Sequence, residues 1–432
     1  MKTKTLYFLV SFILLLAFAT SGQAKPLGAT PFYVPDLTEA QYEGALDDTG
    51  ATAALLPERI PFWVDLVDAE AVPNVGDGVY VAVLDTGLVS LWPFFFSQAN
   101  IAWELGKGFT HDIYWDDTLE DIVFGPLRDD RGFITQLASG HGTHVTSTVV
   151  GFNYNYSRWV QGVAPGATII PVLVLDGWEV ASPYGTLQIT GGTDEMIAAG
   201  IRYVADLSET LDGPVVINLS LGGPTPSPMI EEAIHDAFGK GVIVVASAGN
   251  NGTDGMGYPG GLTPVISAGA GGWADMFNQG WYADVPEKLN SPDSLGNNSQ
   301  HYLEDFSSRP NKSLDQKTQD LDVTAPGAWI AGPYRPAFSP ALGYYYVSGT
   351  SMAAPHVSAI ASLVLESKPL LMQAEMEKIL SLGASGQPFS ADDAIVAYPY
   401  EEPFFYTATW GGGDYGAGLL RADAAMKAAK IE

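Results

Sequence analysis

The chain has 432 residues, 47% of them hydrophobic, and sets 49 Asp and Glu against 20 Lys and Arg for a formal net charge of −29. This is the composition of a globular protein with material for a large core, and its acidity sets the surface against nucleic acid and anionic membranes. No cysteine is present, which excludes disulfides and cysteine-linked lipid anchors and leaves stability to the core.

In chain order, Lys2 and Lys4 precede an apolar run over about residues 6–19, followed by the small residues of Ser21-Gly22-Gln23-Ala24. The pattern predicts a secretory signal peptide over residues 1–24, with no membrane insertion after its removal. An uncleaved anchor is the alternative, although the run is short for a spanning helix. Residues 25–57, rich in small, Pro and acidic side chains, read as a short N-terminal extension or pro-segment. The folded domain is expected over 58–432, beginning near Leu56 to Pro61, with no internal repeat.

Val79-Tyr80-Val81-Ala82-Val83-Leu84 reads as a strand buried on both faces of a parallel sheet, ending in Asp85-Thr86-Gly87. Functional groups gather at the carboxyl ends of such strands. A carboxylate there can hold the Nδ1–H of a histidine; an Asp in an ordinary turn is the plainer alternative. The insert over about 88–138 carries Asp112, Asp116, Asp117, Glu120, Asp121, Asp129 and Asp130. It reads as a solvated surface loop, with a structural calcium site as the alternative.

Ser139-Gly140-His141-Gly142-Thr143-His144-Val145 follows, opening an apolar helix that runs to Val150. The flanking glycines let backbone or substrate approach His141 closely. Of the six histidines (His111, His141, His144, His235, His301 and His356), His141 has the setting best suited to a general base. The His141/His144 spacing can chelate a metal, but the Glu of a zinc-binding H-E-x-x-H helix is missing and no third ligand is near. Zinc is not expected.

Strand 79–84 and the helix near 141–150 begin an alternation that continues as strand 168–175, helix near 194–206, strand 215–221, helix 228–239 and strand 242–247. The alternation predicts a three-layer α/β fold, a mostly parallel sheet flanked by helices on both faces. Helix 228–239 shows the logic: Pro228 opens it, Glu231 and Glu232 lie near its start, and Gly239 with Gly241 stops it. Strand 242–247 runs out into Ala248-Gly249-Asn250, where an amide can donate to developing negative charge or simply make a turn. A polar stretch over about 272–305 reads as a second surface insert. Gly349-Thr350-Ser351-Met352-Ala353-Ala354-Pro355-His356-Val357 then sets a serine at the start of an apolar helix, close to backbone N–H groups and the positive helix end. Pro355 is expected in the first turn, where a proline forfeits nothing. A merely capped helix is the alternative.

These four motifs, in this order, resemble the subtilisin-like serine peptidases, the subtilase family. The similarity extends to Gly162-Val163-Ala164-Pro165-Gly166, Val216-Ile217-Asn218-Leu219-Ser220-Leu221-Gly222-Gly223, Asp322-Val323-Thr324-Ala325-Pro326-Gly327 and Tyr415-Gly416-Ala417-Gly418-Leu419-Leu420, covering about residue 58 to the C-terminus. The resemblance implies a secreted, extracellular serine endopeptidase acting on protein or peptide substrates, with periplasmic or surface retention as alternatives. It implies Ser351 as nucleophile, His141 as general base and acid, Asp85 as the group that orients it, and Asn250 with the Ser351 N–H as the oxyanion hole.

By the same resemblance Ser220, Leu221, Gly222, Ala248 and Gly249 wall the S1 pocket and Gly257 lies at its floor. These small residues leave room for a large apolar or aromatic P1 side chain, and Asp254 falls three residues short of the floor. No cofactor is required for the chemistry. The family often binds structural calcium, although the loop before Gly162 carries Asn153, Tyr154, Asn155, Tyr156 and Trp159 in place of the usual ligands. A monomer is expected. Residues 25–57 depart from the family, being short for its folding-assisting pro-domain. Two other functions carry forward: a transpeptidase or cyclase of the same fold, and a non-catalytic acidic surface or binding protein, against which the complete Asp85, His141, Ser351 and Asn250 set stands.

Overall fold

Runs of β-branched residues with no polar alternation build the middle of a nine-stranded sheet. Its order is His301–Leu303, Ile266–Trp273, Ile243–Ser247, Val215–Leu219, Tyr80–Asp85, Thr168–Leu173, Lys107–Asp116 and Asp121–Arg131, with Val323–Pro326 paired alongside Ile266–Trp273. The structure, a computed structural model, describes residues 56–274, 301–385 and 404–431, together with 12–13, 30–33, 276, 280–281 and 393–398. Pairing is parallel from Ile266–Trp273 through to Lys107–Asp116. It is antiparallel where His301–Leu303 and Asp121–Arg131 join, so the sheet is mixed at its ends and parallel at its centre.

Side-chain alternation along the central strand sorts the helices into two layers. Val81 and Val83 belong to the core shared with helices His141–Val150 and Thr350–Ser367. Ala82 and Leu84 belong to the core shared with helices Asp194–Ser208 and Pro228–Gly239. A strand covered on both faces needs no polar residue except at its ends, which is why it reads as an unbroken apolar run.

The acidic insert is not a loop. Lys107–Asp116 and Asp121–Arg131 form a β-hairpin that extends the central sheet. Abundant Asp side chains mask its period-two pattern in the sequence, and part of its charge is paired locally. Arg128 bonds Asp112 at 2.5 Å and Asp130 at 3.1 Å, and Lys107 bonds Asp129 at 3.2 Å. The nearly buried Asp176 accepts from Arg131 Nε at 3.2 Å and Thr110 Oγ1 at 2.9 Å. Phe124 against Trp178 and Trp115 against Tyr184 join this hairpin to a second one, Asp176–Ser182 with Gly185–Thr193. Among the described residues no group of three or more His, Asp or Glu is placed to hold a metal ion.

The predicted signal peptide and extension lie outside the described residues, apart from Phe12–Ile13, Thr30–Tyr33 and residues 56–57; Thr30–Tyr33 pairs antiparallel with Gly343–Val347. Most of the second insert also lies outside them. Among the described residues no helix is long and apolar enough to cross a membrane.

One acid sits deep in the sheet. Asp322 Oδ2 accepts from Ser267 N–H at 2.8 Å and Ser267 Oγ at 2.9 Å, yet burial, opposed by these bonds and reinforced by the neighbouring Glu377 carboxyl, pushes it up from 3.8 to about 7. A folded-state value above the unfolded one means the unfolded chain holds fewer protons between these two values. This group therefore weakens the fold as pH rises from about 4 to about 7. Asn at 322 keeps the acceptor and removes the titration. The melting-temperature difference between Asp322→Asn and the parent, followed by calorimetry, is expected to shift in favour of the variant across that interval and to stay constant above it.

Candidate active site

The central strand ends at Asp85, whose carboxylate is wholly buried. Such a charge is costly unless its lone pairs are filled. Thr86 N–H donates to Oδ1 at 2.6 Å, and His141 Nδ1 lies 2.9 Å from both carboxylate oxygens. A carboxylate only accepts, so Nδ1 carries the proton and Nε2 of the neutral ring is left as an acceptor.

Helix His141–Val150 begins at the imidazole itself. Its approach to the strand is fixed by Gly142, whose N–H donates to Thr86 Oγ1 at 2.9 Å. A Cβ at Gly142 would meet the Gly87 carbonyl oxygen at 2.5 Å and Asp85 Cβ at 3.1 Å, so no larger residue fits. His144, one turn on, faces elsewhere: its Nε2 lies 3.0 Å from the Ile330 carbonyl, and burial, aided by nearby His141, lowers it to about 3. It is held neutral within the core and does not join His141 in a metal site.

Helix Thr350–Ser367 packs directly against helix His141–Val150 and carries Ser351 in its first turn. There the backbone N–H of Ser351 has no helical carbonyl to serve. The Ser351 hydroxyl donates to the Ser220 carbonyl at 3.2 Å and not to His141. The expected nucleophile–base bond is thus not made in this state; such contacts often form only with substrate in place.

Asn250 follows strand Ile243–Ser247. Its Oδ1 accepts twice from Thr350, from N–H at 2.9 Å and from Oγ1 at 2.9 Å. Thr350 Oγ1 in turn accepts the Gly249 N–H at 3.1 Å. With the amide oxygen committed, the Asn250 NH2 is the group left to donate. Gly249 is held at φ +105°, where a side chain would be strained and would also crowd Ser308 and Gly257.

The residues expected to line a pocket also converge. Gly223 and Tyr258 exchange two backbone bonds of 2.8 Å, and Gly257 N–H donates to the Ala248 carbonyl at 2.8 Å. This brings the segment Ser220, Leu221, Gly222 against Ala248, Gly249 and Gly257. Asp254 is exposed in the short helix Gly252–Asp254.

Two expectations change. Pro355 is the sixth residue of helix Thr350–Ser367 and not in its first turn. Its missing N–H leaves the Ser351 carbonyl without its helical donor. The Ser220 hydroxyl fills that place at 2.7 Å, so its side chain serves the serine's backbone. Sequence reading missed Thr86, Asn218, Thr350 and Ser358 as members of this arrangement. The one available signal was Asn218, a lone amide inside an otherwise apolar strand.

A family model described as the subtilase family matches residues 76–396. M-protease of Shouchella clausii (strain KSM-K16) is 28% identical over 339 residues, 78% of this chain and 67% of that protein. Thermitase of Thermoactinomyces vulgaris is 30% identical over 289 residues, 67% of this chain and 75% of that protein. The solved structure titled S41 psychrophilic protease aligns with a TM-score of 0.56 and 25% identity, covering 85% of this chain and 99% of that one. The parallel-centred α/β sheet, the order of the four motifs and these matches agree: the chain belongs to the subtilase family and is a serine endopeptidase.

Proposed function

We propose that the chain is a secreted endopeptidase that cleaves peptide bonds through an acyl-enzyme on Ser351, with Asp85, His141 and Asn250 as its partners. The observation that carries this reading is the Asp85–His141 pair, with Nδ1 at 2.9 Å from both oxygens, set on a helix that packs against the one bearing Ser351. Asp85 fixes the tautomer in which Nε2 can accept a proton and stabilises the imidazolium that results. His141 takes the Ser351 proton as Oγ attacks the scissile carbonyl. The tetrahedral oxyanion is met by the Asn250 NH2, whose orientation is held by Thr350, and by the Ser351 N–H. His141 then gives its proton to the leaving amine. Water, deprotonated by the same imidazole, attacks the ester and releases acid and free serine.

Substrate preference follows from the pocket. Gly222 and Gly249, backed by the buried Leu221, Ala248 and Gly257, offer small or apolar walls, while the buried Ser220 turns its hydroxyl to the Ser351 carbonyl and Asp254 is exposed. The P1 side chain it fits is large and apolar or aromatic, within broad specificity, and an extended substrate would lie along Leu221-Gly222 and the backbone after Leu175. The signal-like residues 1–24 support export.

Three outcomes are expected. A fluorophosphonate should label the folded parent at Ser351 and leave Ser351→Ala unlabelled; an unlabelled parent would end the nucleophile assignment. Peptides with Phe or Leu at P1 should give higher kcat/KM than those with Arg, and a tenfold preference for Arg would refute the pocket reading. Gly142→Ala should push the imidazole off Asp85. The low-field proton resonance of His141 Nδ1–H would be lost and kcat/KM would fall by about 100-fold, as a misplacement of about 1 Å commonly produces.

A further inference from the structure

A buried polar chain runs beneath the serine. Pro355 supplies no N–H, so the Ser351 carbonyl takes its hydrogen bond from Ser220 Oγ at 2.7 Å. That carbonyl can only accept, so the single hydroxyl proton of Ser220 is committed to it. Whatever stands behind Ser220 must therefore donate. Asn218 does so, from Nδ2 at 2.9 Å, which turns its amide oxygen to the opposite side. There Ser358 Oγ donates to it at 2.9 Å. Asn218, Ser220 and Ser358 are all fully buried, and none of their polar side-chain atoms is without a hydrogen-bond partner. A connected buried network holds a single geometry more firmly than any one of its bonds would.

The two ends of this chain lie on one helix. Ser358 follows Ser351 by about two helical turns. Asn218 stands between them on strand Val215–Leu219. The amide thus pins the helix to the sheet at two heights and sets both its rotation and its advance toward His141.

We infer that Asn218 is a positioning residue for the nucleophile, acting through Ser220 on the Ser351 carbonyl. This rests on the reading of Ser351 as the attacking group. Asn218 reaches no substrate atom; it holds the residue whose N–H and hydroxyl do. A purely structural amide would support folding without touching turnover per correctly folded molecule.

The test uses the full chain, with active sites counted by fluorophosphonate labelling to completion and an amide substrate assayed per labelled site. Asn218→Ala should lower kcat by about 10- to 100-fold with KM within about twofold, because an interaction that aligns the reacting groups is lost and substrate binding is not. Ser358→Ala should fall in the same direction and Ser358→Thr, which restores the hydroxyl, should recover. These two decide the matter if Asn218→Ala does not fold. Ser362→Ala removes a buried hydroxyl on the same helix whose bond ends on the Ala359 carbonyl, and should match the parent.

Asn218→Asp adds a pH signature. An ionised Asp can only accept, so it competes for the Ser220 proton and strips the Ser351 carbonyl; a protonated Asp donates as the amide did. Activity relative to the parent should rise as pH falls. The inference is overturned if kcat per labelled site in Asn218→Ala or Ser358→Ala stays within twofold of the parent, or if only the number of labelled sites drops. A parent that takes no label loses the nucleophile reading and this inference together. A parent that labels and turns over while these variants match it loses the inference alone.

Discussion

The rest of the site depends on one buried negative charge. Asp85 ends the central strand with no solvent to satisfy it, and leaving it unpaired would cost several kcal/mol. Its bonds from Thr86 N–H and His141 Nδ1 discharge that cost. In doing so they dictate where helix His141–Val150 starts and how closely it approaches the strand, an approach that only a glycine at 142 permits. Stability and chemistry therefore coincide: the geometry that satisfies the carboxylate also leaves Nε2 of the imidazole free to accept.

The serine is placed by a second set of constraints, independent of the first. Thr350 faces Asn250 and Gly249, while Ser220 clamps Ser351 twice, with its hydroxyl on the carbonyl and its carbonyl under the hydroxyl. Each anchor comes from the carboxyl end of a different parallel strand: Val215–Leu219 for Ser220, and Ile243–Ser247 for Asn250. A parallel sheet collects those ends on one edge, where two helix starts can meet them. Pro355 contributes by omission, since the carbonyl it leaves open becomes a handle for the sheet.

The strong acidity of the chain is handled outside this centre. The hairpin 107–131 carries seven carboxylates but engages Lys107, Arg128 and Arg131 with them and with the buried Asp176. The exposed pairs contribute little stability in water. Burial of Asp176 and the aromatic contacts to the neighbouring hairpin tie the insert to the domain. The residual charge of the chain stays strongly negative.

Much of this was legible in the residues alone. The strand before Asp85, helix 228–239 and the serine helix announce themselves by apolar runs, Pro and Gly, because backbone and burial preferences act locally. The motifs around Asp85, His141, Asn250 and Ser351 marked reactive residue types at element ends. From sequence the hairpin 107–131 reads as a loop, because its acidic side chains hide the alternation and the strand it joins lies elsewhere in the chain. Tertiary structure alone decided that Pro355 frees a carbonyl, that Ser220 fills it, and that Asn218 and Ser358 stand behind Ser220. Hydrogen bonds between residues more than a hundred positions apart leave no period or spacing in a sequence. They exist only once the sheet has brought its strand ends to one edge.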